Sequence, residues 1–160
     1  MTNQVLNYNT RSYLKYDHLP PEDEIKKKLE MANILRILDD YKQIKLALDI
    51  GAATGRYPMM LKTKGIETIG IDKEYDAMMY AQKKKTDSEF PFFSVSDAIE
   101  LPFHQNVFDL ITCMMGTFAH FNSKSQPDIC KEIVRVLKPG GLFILSTWDI
   151  GKRQRKATWQ

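Results

Sequence analysis

Short apolar runs alternate with helical patterns along most of this chain, and that alternation restricts its fold more than any other feature. The runs are IKLALDI, IETIGID, PFFSVSD, VFDLITCMM and LFILSTW. RYPMMLKTKG, closed by Gly65, follows the first run, and KEYDAMMYAQKKK follows the second. SQPDICKEIVRVLKPGG, ended by a Pro-Gly-Gly turn, precedes the fifth. AIELPFHQN, after the third, reads as a loop with at most one helical turn. Parallel strands need long crossovers, most often helical, whereas antiparallel strands need only tight hairpins. Strands joined by helices therefore predict a parallel sheet covered on both faces, an α/β three-layer sandwich. Ligands of such sheets bind beyond the carboxyl ends of the strands, where the strand order reverses. The chemically informative residues should accordingly lie just after each run.

A helix is also predicted ahead of the first run. Pro20 and Pro21 end a polar, tyrosine-rich arm, and Glu22, Asp23 and Glu24 suit a helix N-terminus. IKKKLEMANILRILDDY then spaces Ile25, Leu29, Ile34, Leu35 and Leu38 as an apolar face. The organisation that results is an arm or lid over 1–21, one domain over 22–150 and a basic tail over 151–160. A chain of 160 residues has length for one domain with a real core. Its formal charge of +3 is too small to argue for nucleic acid. Cys113 and Cys130 are too few for a disulfide scaffold and read as buried, reduced thiols. The N-terminus has no apolar signal core, and no run approaches membrane-spanning length, so a cytoplasmic protein is expected. No metal site is predicted.

The first run ends LALDIGAATGRYP. After Asp49, Gly51 and Gly55 bracket Ala52, Ala53 and Thr54, a stretch small enough for a ligand to approach the main chain. The helix that begins near Gly55 aims free N–H groups and its positive dipole end at that ligand. One strand–helix–strand unit later, Asp72 ends IGID, where a carboxylate can accept two hydrogen bonds from a ribose diol. A dinucleotide site requires G-x-G-x-x-G for its pyrophosphate. The glycines here are spaced G-x-x-x-G, and the carboxylate of Asp49 would repel a pyrophosphate while suiting a sulfonium and an ammonium.

The pattern D-x-G-x-A-x-G resembles the first motif of class I S-adenosylmethionine-dependent methyltransferases, with Ala53 in place of a glycine. VSDAIELPFHQNVFDLIT and KEIVRVLKPGGLFILS resemble later motifs of that family, in its order, so the resemblance covers about residues 45 to 147. It is nearest to the branch acting on small molecules. It implies a Rossmann-like fold with strand order 3-2-1-4-5, S-adenosylmethionine as cofactor and S-adenosylhomocysteine as product. It also implies that the Gly51–Gly55 loop, with Ala52 and Ala53, packs on the methionine part of the cofactor, with Asp49 helping to hold its ammonium. Asp72, followed by Lys73, would hold the ribose. Asp97 would accept from the adenine amino group and Ala98 would present its N–H to the ring, the lesser alternative for Asp97 being a cap for AIEL. Met114 and Met115 would lie beside the methionyl group.

Methyl transfer from a sulfonium is an in-line displacement in which alignment supplies much of the rate, and an oxygen or nitrogen acceptor also needs a base. Candidates are His120 in GTFAHFN, which otherwise only closes the loop, and Tyr16 and Asp17, beside His18, in an arm that is either a lid or an exposed tail. The fourth run lacks the N/D-P-P-Y/F ending used for base and amide nitrogens, which disfavours nucleic acid as acceptor. The family usually has seven strands, and strands 6 and 7 are missing here, leaving strand five as an apolar edge that a second copy or another chain should cover. The expected function is methyl transfer to O, N or C of a small molecule, as an oligomer or half of a split enzyme. A non-catalytic S-adenosylmethionine-binding subunit is the alternative.

Overall fold

The computed structural model describes residues 21–86 and 89–147, with side chains from residue 24 onward. The arm, with Tyr16, Asp17 and His18, and the basic tail lie outside the described residues. The elements run α1 (Pro21–Asp39), β1 (Leu46–Ile50), α2 (Arg56–Lys62), β2 (Glu67–Asp72), α3 (Tyr75–Lys84), β3 (Phe92–Val95), β4 (Phe108–Cys113), α4 (Thr117–His120), α5 (Gln126–Val136) and β5 (Leu137–Leu145). The five strands form one sheet in the order β3-β2-β1-β4-β5, every pair parallel. The Rossmann-like α/β architecture and strand order read from the sequence are both present.

Alternation along the two central strands divides the core. Leu48 and Ile50 of β1 join Ile111 and Cys113 of β4 on one face, against Ile129, Ile133 and Val136 of α5. Ala47 and Leu110 point to the other face, where Ile34 and Leu38 of α1 meet Met60 and Leu61 of α2. Both faces are covered, so these strands carry apolar residues at nearly every position instead of every second one. Each fully buried leucine or isoleucine among them contributes roughly 1.5–3 kcal/mol. The consequence for the site is geometric. Asp49 and Thr112 occupy the α1–α2 face at positions paired across β1 and β4.

Four expectations need correction. Ile25 and Leu29 are not on the inner face of α1; they are 59% and 60% exposed, while Lys27 is buried to 3%. The phase of the helix follows Ile34 and Leu38, and Lys27 and Glu30 share their side. Cys130 is exposed on α5, and only Cys113 is buried. β5 starts at Leu137 instead of Leu142: Leu137 pairs with Phe108 and Leu142 with Leu110, so Lys138–Gly141 bulges between them. Gly140, at φ 77, makes the bulge sterically free. A one-turn helix, α4, also follows β4 where no element was predicted. Among the described residues no helix is long and apolar enough to cross a membrane.

Candidate cofactor site

Three segments meet at the carboxyl ends of β1, β2 and β4. The loop after β1 folds back on β2, the N–H groups of Gly51 and Ala52 both donating to the Ile71 carbonyl at 2.8 and 2.9 Å. Ala53 then takes a positive φ of 46, unusual for alanine, and its N–H donates to Asp72 Oδ2 at 3.0 Å. Strained backbone of this kind concentrates where function requires it. The Glu74 N–H donates to the other oxygen, Asp72 Oδ1, at 3.1 Å. Asp72 thus closes its own strand end onto the glycine loop. Burial pushes its carboxyl above the usual range, opposed by the Glu74 and Ala53 donors.

The small residues of the loop are explained mostly by the protein itself. A Cβ on Gly51, whose φ is 77, would sit 2.3 Å from Thr117 Cγ2. On Gly55, at φ 78, it would sit 2.6 Å from Phe93 Cζ. Ala52 packs inward with Ala77 and Met78, and a Cβ on Gly70 of β2 would meet it at 2.8 Å. What remains open to a ligand is the loop backbone, beside which the carboxylates of Asp49 and Asp72 lie buried.

Asp49 is the unusual group. It is 1% exposed, and its Oδ1 accepts from the Thr112 hydroxyl at 2.6 Å. Its Oδ2 is buried and has no hydrogen-bond partner among the described residues. Such an oxygen is costly unless a donor or a proton reaches it. Burial, and next to it the charge of Asp72, outweigh the Thr112 bond and push the carboxyl up to about 7. On the same face the Tyr57 hydroxyl donates to Glu30 Oε2, which with burial keeps that hydroxyl protonated. Burial, then the charge of Asp49, pushes the Cys113 thiol up to about 12, which leaves it a poor nucleophile.

The β4 exit supplies the third segment. Met114 is buried, Met115 has φ 58 and Gly116 φ 74. Ser146, just past β5, holds this turn: its Oγ accepts the Met115 N–H at 2.7 Å and its carbonyl the Gly116 N–H at 3.2 Å. Thr117 donates to the Met114 carbonyl and abuts Gly51, so the β1 and β4 loops brace one another.

The structure therefore brings together Asp49, Gly51, Ala52, Ala53, Gly55, Asp72, Met114 and Met115 from the sequence reading. Lys73 follows Asp72 as an exposed residue. Asp97 is exposed after β3, and its Oδ1 accepts the Ile99 N–H at 3.0 Å, the capping role allowed for it, which engages one oxygen. Ala98 is buried against the α5 face of the core. His120 is exposed at the end of α4. The sequence reading missed Thr112, Thr117, Ser146, Tyr57 and Glu30. The register of β1 on β4, the pairing of β5 with β4, the turn after β4 and the phase of α1 bring these to the site, and none of them is written in local spacing.

The donor set suits a cationic nucleoside ligand. Two buried carboxylates at neighbouring strand ends would repel a pyrophosphate, and the unpartnered Oδ2 of Asp49 calls for a cation or a donor. S-adenosylmethionine fits: it carries a sulfonium, an ammonium and a ribose diol, and its charge matches these residues.

Comparison with known proteins agrees. Residues 48–145 match the family model described as methyltransferase domain. The chain is 30% identical over 125 residues to the probable tRNA methyltransferase 9B of Mus musculus, covering 77% of this chain and 26% of that protein. It is 33% identical over 117 residues to the chloroplastic tocopherol O-methyltransferase of Arabidopsis thaliana, covering 69% and 32%. Among solved structures, PH0226 protein from Pyrococcus horikoshii OT3 superposes with a TM-score of 0.71 at 27% identity, covering 84% of this chain and 59% of that one. A SAM-dependent methyltransferase from Methanosarcina mazei does so with a TM-score of 0.60 at 32% identity, covering 68% and 55%. The chain spans about a quarter to a third of the length of these two curated relatives.

Proposed function

This chain belongs to the methyltransferase-domain family, class I by its fold, and its cofactor is S-adenosylmethionine; on that premise we propose that it carries the cofactor half of an enzyme methylating an O, N or C atom of a small-molecule acceptor. The observation that carries this reading is the pair of buried carboxylates, Asp49 and Asp72, facing a glycine loop at adjacent strand ends. Bound S-adenosylmethionine supplies an electrophilic methyl group on a sulfonium. Asp72 accepts from the ribose hydroxyls while its backbone donors hold it in place. Asp49 faces the positive charge of the methionyl part. Asp97 and Ala98 take the adenine end, and the Met114–Met115 turn, fixed by Ser146, borders the methionyl part. Lys73 extends the ribose corner toward solvent.

His120 is the candidate base for an acceptor, together with Tyr16 or Asp17 if the arm over 1–21 closes as a lid. The domain proper is 22–150, with a basic tail over 151–160. A cytoplasmic oligomer, or a complex with a second chain, completes the enzyme. β5 supports this reading: it lies at the sheet edge, and Leu145 is 41% exposed. The tocopherol enzyme among the relatives favours a small acceptor. The tRNA methyltransferase among them favours a second reading, in which the acceptor is a transfer RNA.

The test is calorimetric titration of the purified chain with S-adenosylmethionine, followed by labelled-methyl transfer to a panel of phenols, amines and bulk transfer RNA. Saturable binding with label on a small molecule supports the reading. Label on RNA alone moves the acceptor to the second reading. Binding without transfer to any acceptor would leave a cofactor-binding subunit, and absence of binding would overturn the cofactor assignment for this chain.

A further inference from the structure

We propose that Asp49 makes the site selective for a positively charged ligand because a proton and that charge compete for its buried carboxyl, so that binding of the cofactor expels a proton from the protein. The inference rests on the cofactor reading above and adds a specificity rule to it. It starts from the orphaned oxygen. Asp49 is buried in the middle of the sheet, Oδ1 is satisfied by Thr112, and Oδ2 has no donor among the described residues. A carboxylate left in that state has two exits: it binds a proton, or a cation takes the proton's place.

Among the described residues the surroundings offer no third exit. From β2, Asp72 adds a like charge. From β4, Cys113 offers a thiol that burial, and then the charge of Asp49, keeps protonated. From α2, Tyr57 spends its hydroxyl on Glu30 of α1. Arg56 of α2 acts on Tyr57, and Lys27 is buried on α1, yet the balance at Asp49 is set by burial, Thr112 and Asp72. In the unliganded protein the carboxyl is consequently half-protonated near neutrality, at about 7. An arriving cation stabilises the carboxylate, and the exchange balances: one proton leaves as one positive charge enters. The charge has two possible sources, the ammonium and the sulfonium, and both S-adenosylmethionine and its thioether product carry the first.

The experiment is calorimetric titration at about pH 6.5 in buffers of different ionisation enthalpy, with S-adenosylmethionine and with S-adenosylhomocysteine. Wild-type protein should release about three-quarters of a proton per ligand bound, and its affinity should tighten about tenfold between about pH 6 and about pH 8. D49N, isosteric with the protonated form, should bind more weakly, release no proton through this group and lose that pH dependence. Release with both ligands identifies the ammonium as the displacing charge; release with S-adenosylmethionine alone identifies the sulfonium. Binding with equal proton release in wild type and D49N would overturn the inference while leaving the cofactor reading intact. Failure of folded wild-type protein to bind either ligand would overturn both.

A measurement without ligand gives a second check. The folded-state carboxyl titrates above its unfolded value, so the folded protein holds the extra proton in between. Urea stability of the unliganded wild type should therefore fall as pH rises from about 4 to about 7, relative to D49N. Parallel profiles for the two proteins would also overturn the inference.

Discussion

Replacing Gly51 by alanine separates two explanations of the glycine loop, room for a ligand and room for the protein. At φ 77 an L-residue costs roughly 1–2 kcal/mol. The new Cβ would also lie 2.3 Å from Thr117 Cγ2 and 2.9 Å from Thr117 Oγ1, overpacking that costs typically about 1–3 kcal/mol. G51A should thus destabilise the fold by about 2–5 kcal/mol. T117S removes the nearer atom and keeps the hydroxyl bonded to the Met114 carbonyl. In that background G51A should cost about 1–2 kcal/mol less, part of the overpacking, the strained φ and the Oγ1 contact remaining. The assay is urea unfolding of the four proteins of the cycle, with unchanged m-values as the check that the states compared are the same. Cofactor affinity of the double variant should recover along with stability, because the added methyl points at Thr117. A coupling below about 0.5 kcal/mol would refute the packing argument. Recovered stability with binding still abolished would mean that the ligand itself fills the space.

Two further substitutions probe the site. D72N keeps one acceptor oxygen and turns an amide toward the Ala53 or Glu74 N–H, so it should cost about 1–3 kcal/mol of stability and weaken S-adenosylmethionine binding at least about tenfold; unchanged affinity by calorimetry would remove Asp72 from the ribose. S146A deprives the Met115 N–H of its acceptor and should cost only about 0.5–1.5 kcal/mol, with weaker cofactor binding and faster amide exchange at Met115, both restored by S146T. Loss of stability with cofactor affinity unchanged would make Ser146 a structural latch and nothing more.

Much of this protein was legible in the chain alone. Alternating apolar runs and helical patterns determine a parallel sheet, because no shorter connection joins parallel strands, and the position of Asp49, the glycines and Asp72 at or just beyond the carboxyl ends of their strands follows from that. These are local signals, read from spacing of 2 or 3.6 residues and from backbone freedom. The tertiary structure decided what local spacing does not encode. The face of α1 that turns inward depends on what it meets: Ile34 and Leu38 enter the core, and Glu30 reaches Tyr57, so Ile25 and Leu29 face solvent although their spacing is equally helical. The register of β1 on β4 sets Thr112 beside Asp49 and leaves one carboxylate oxygen without a donor among the described residues. The approach of Thr117 to Gly51 and of Phe93 to Gly55 supplies a reason for the glycines that a motif alone assigns to the ligand. In each case the deciding contact joins residues far apart in sequence, and its energy exists only once the sheet has assembled.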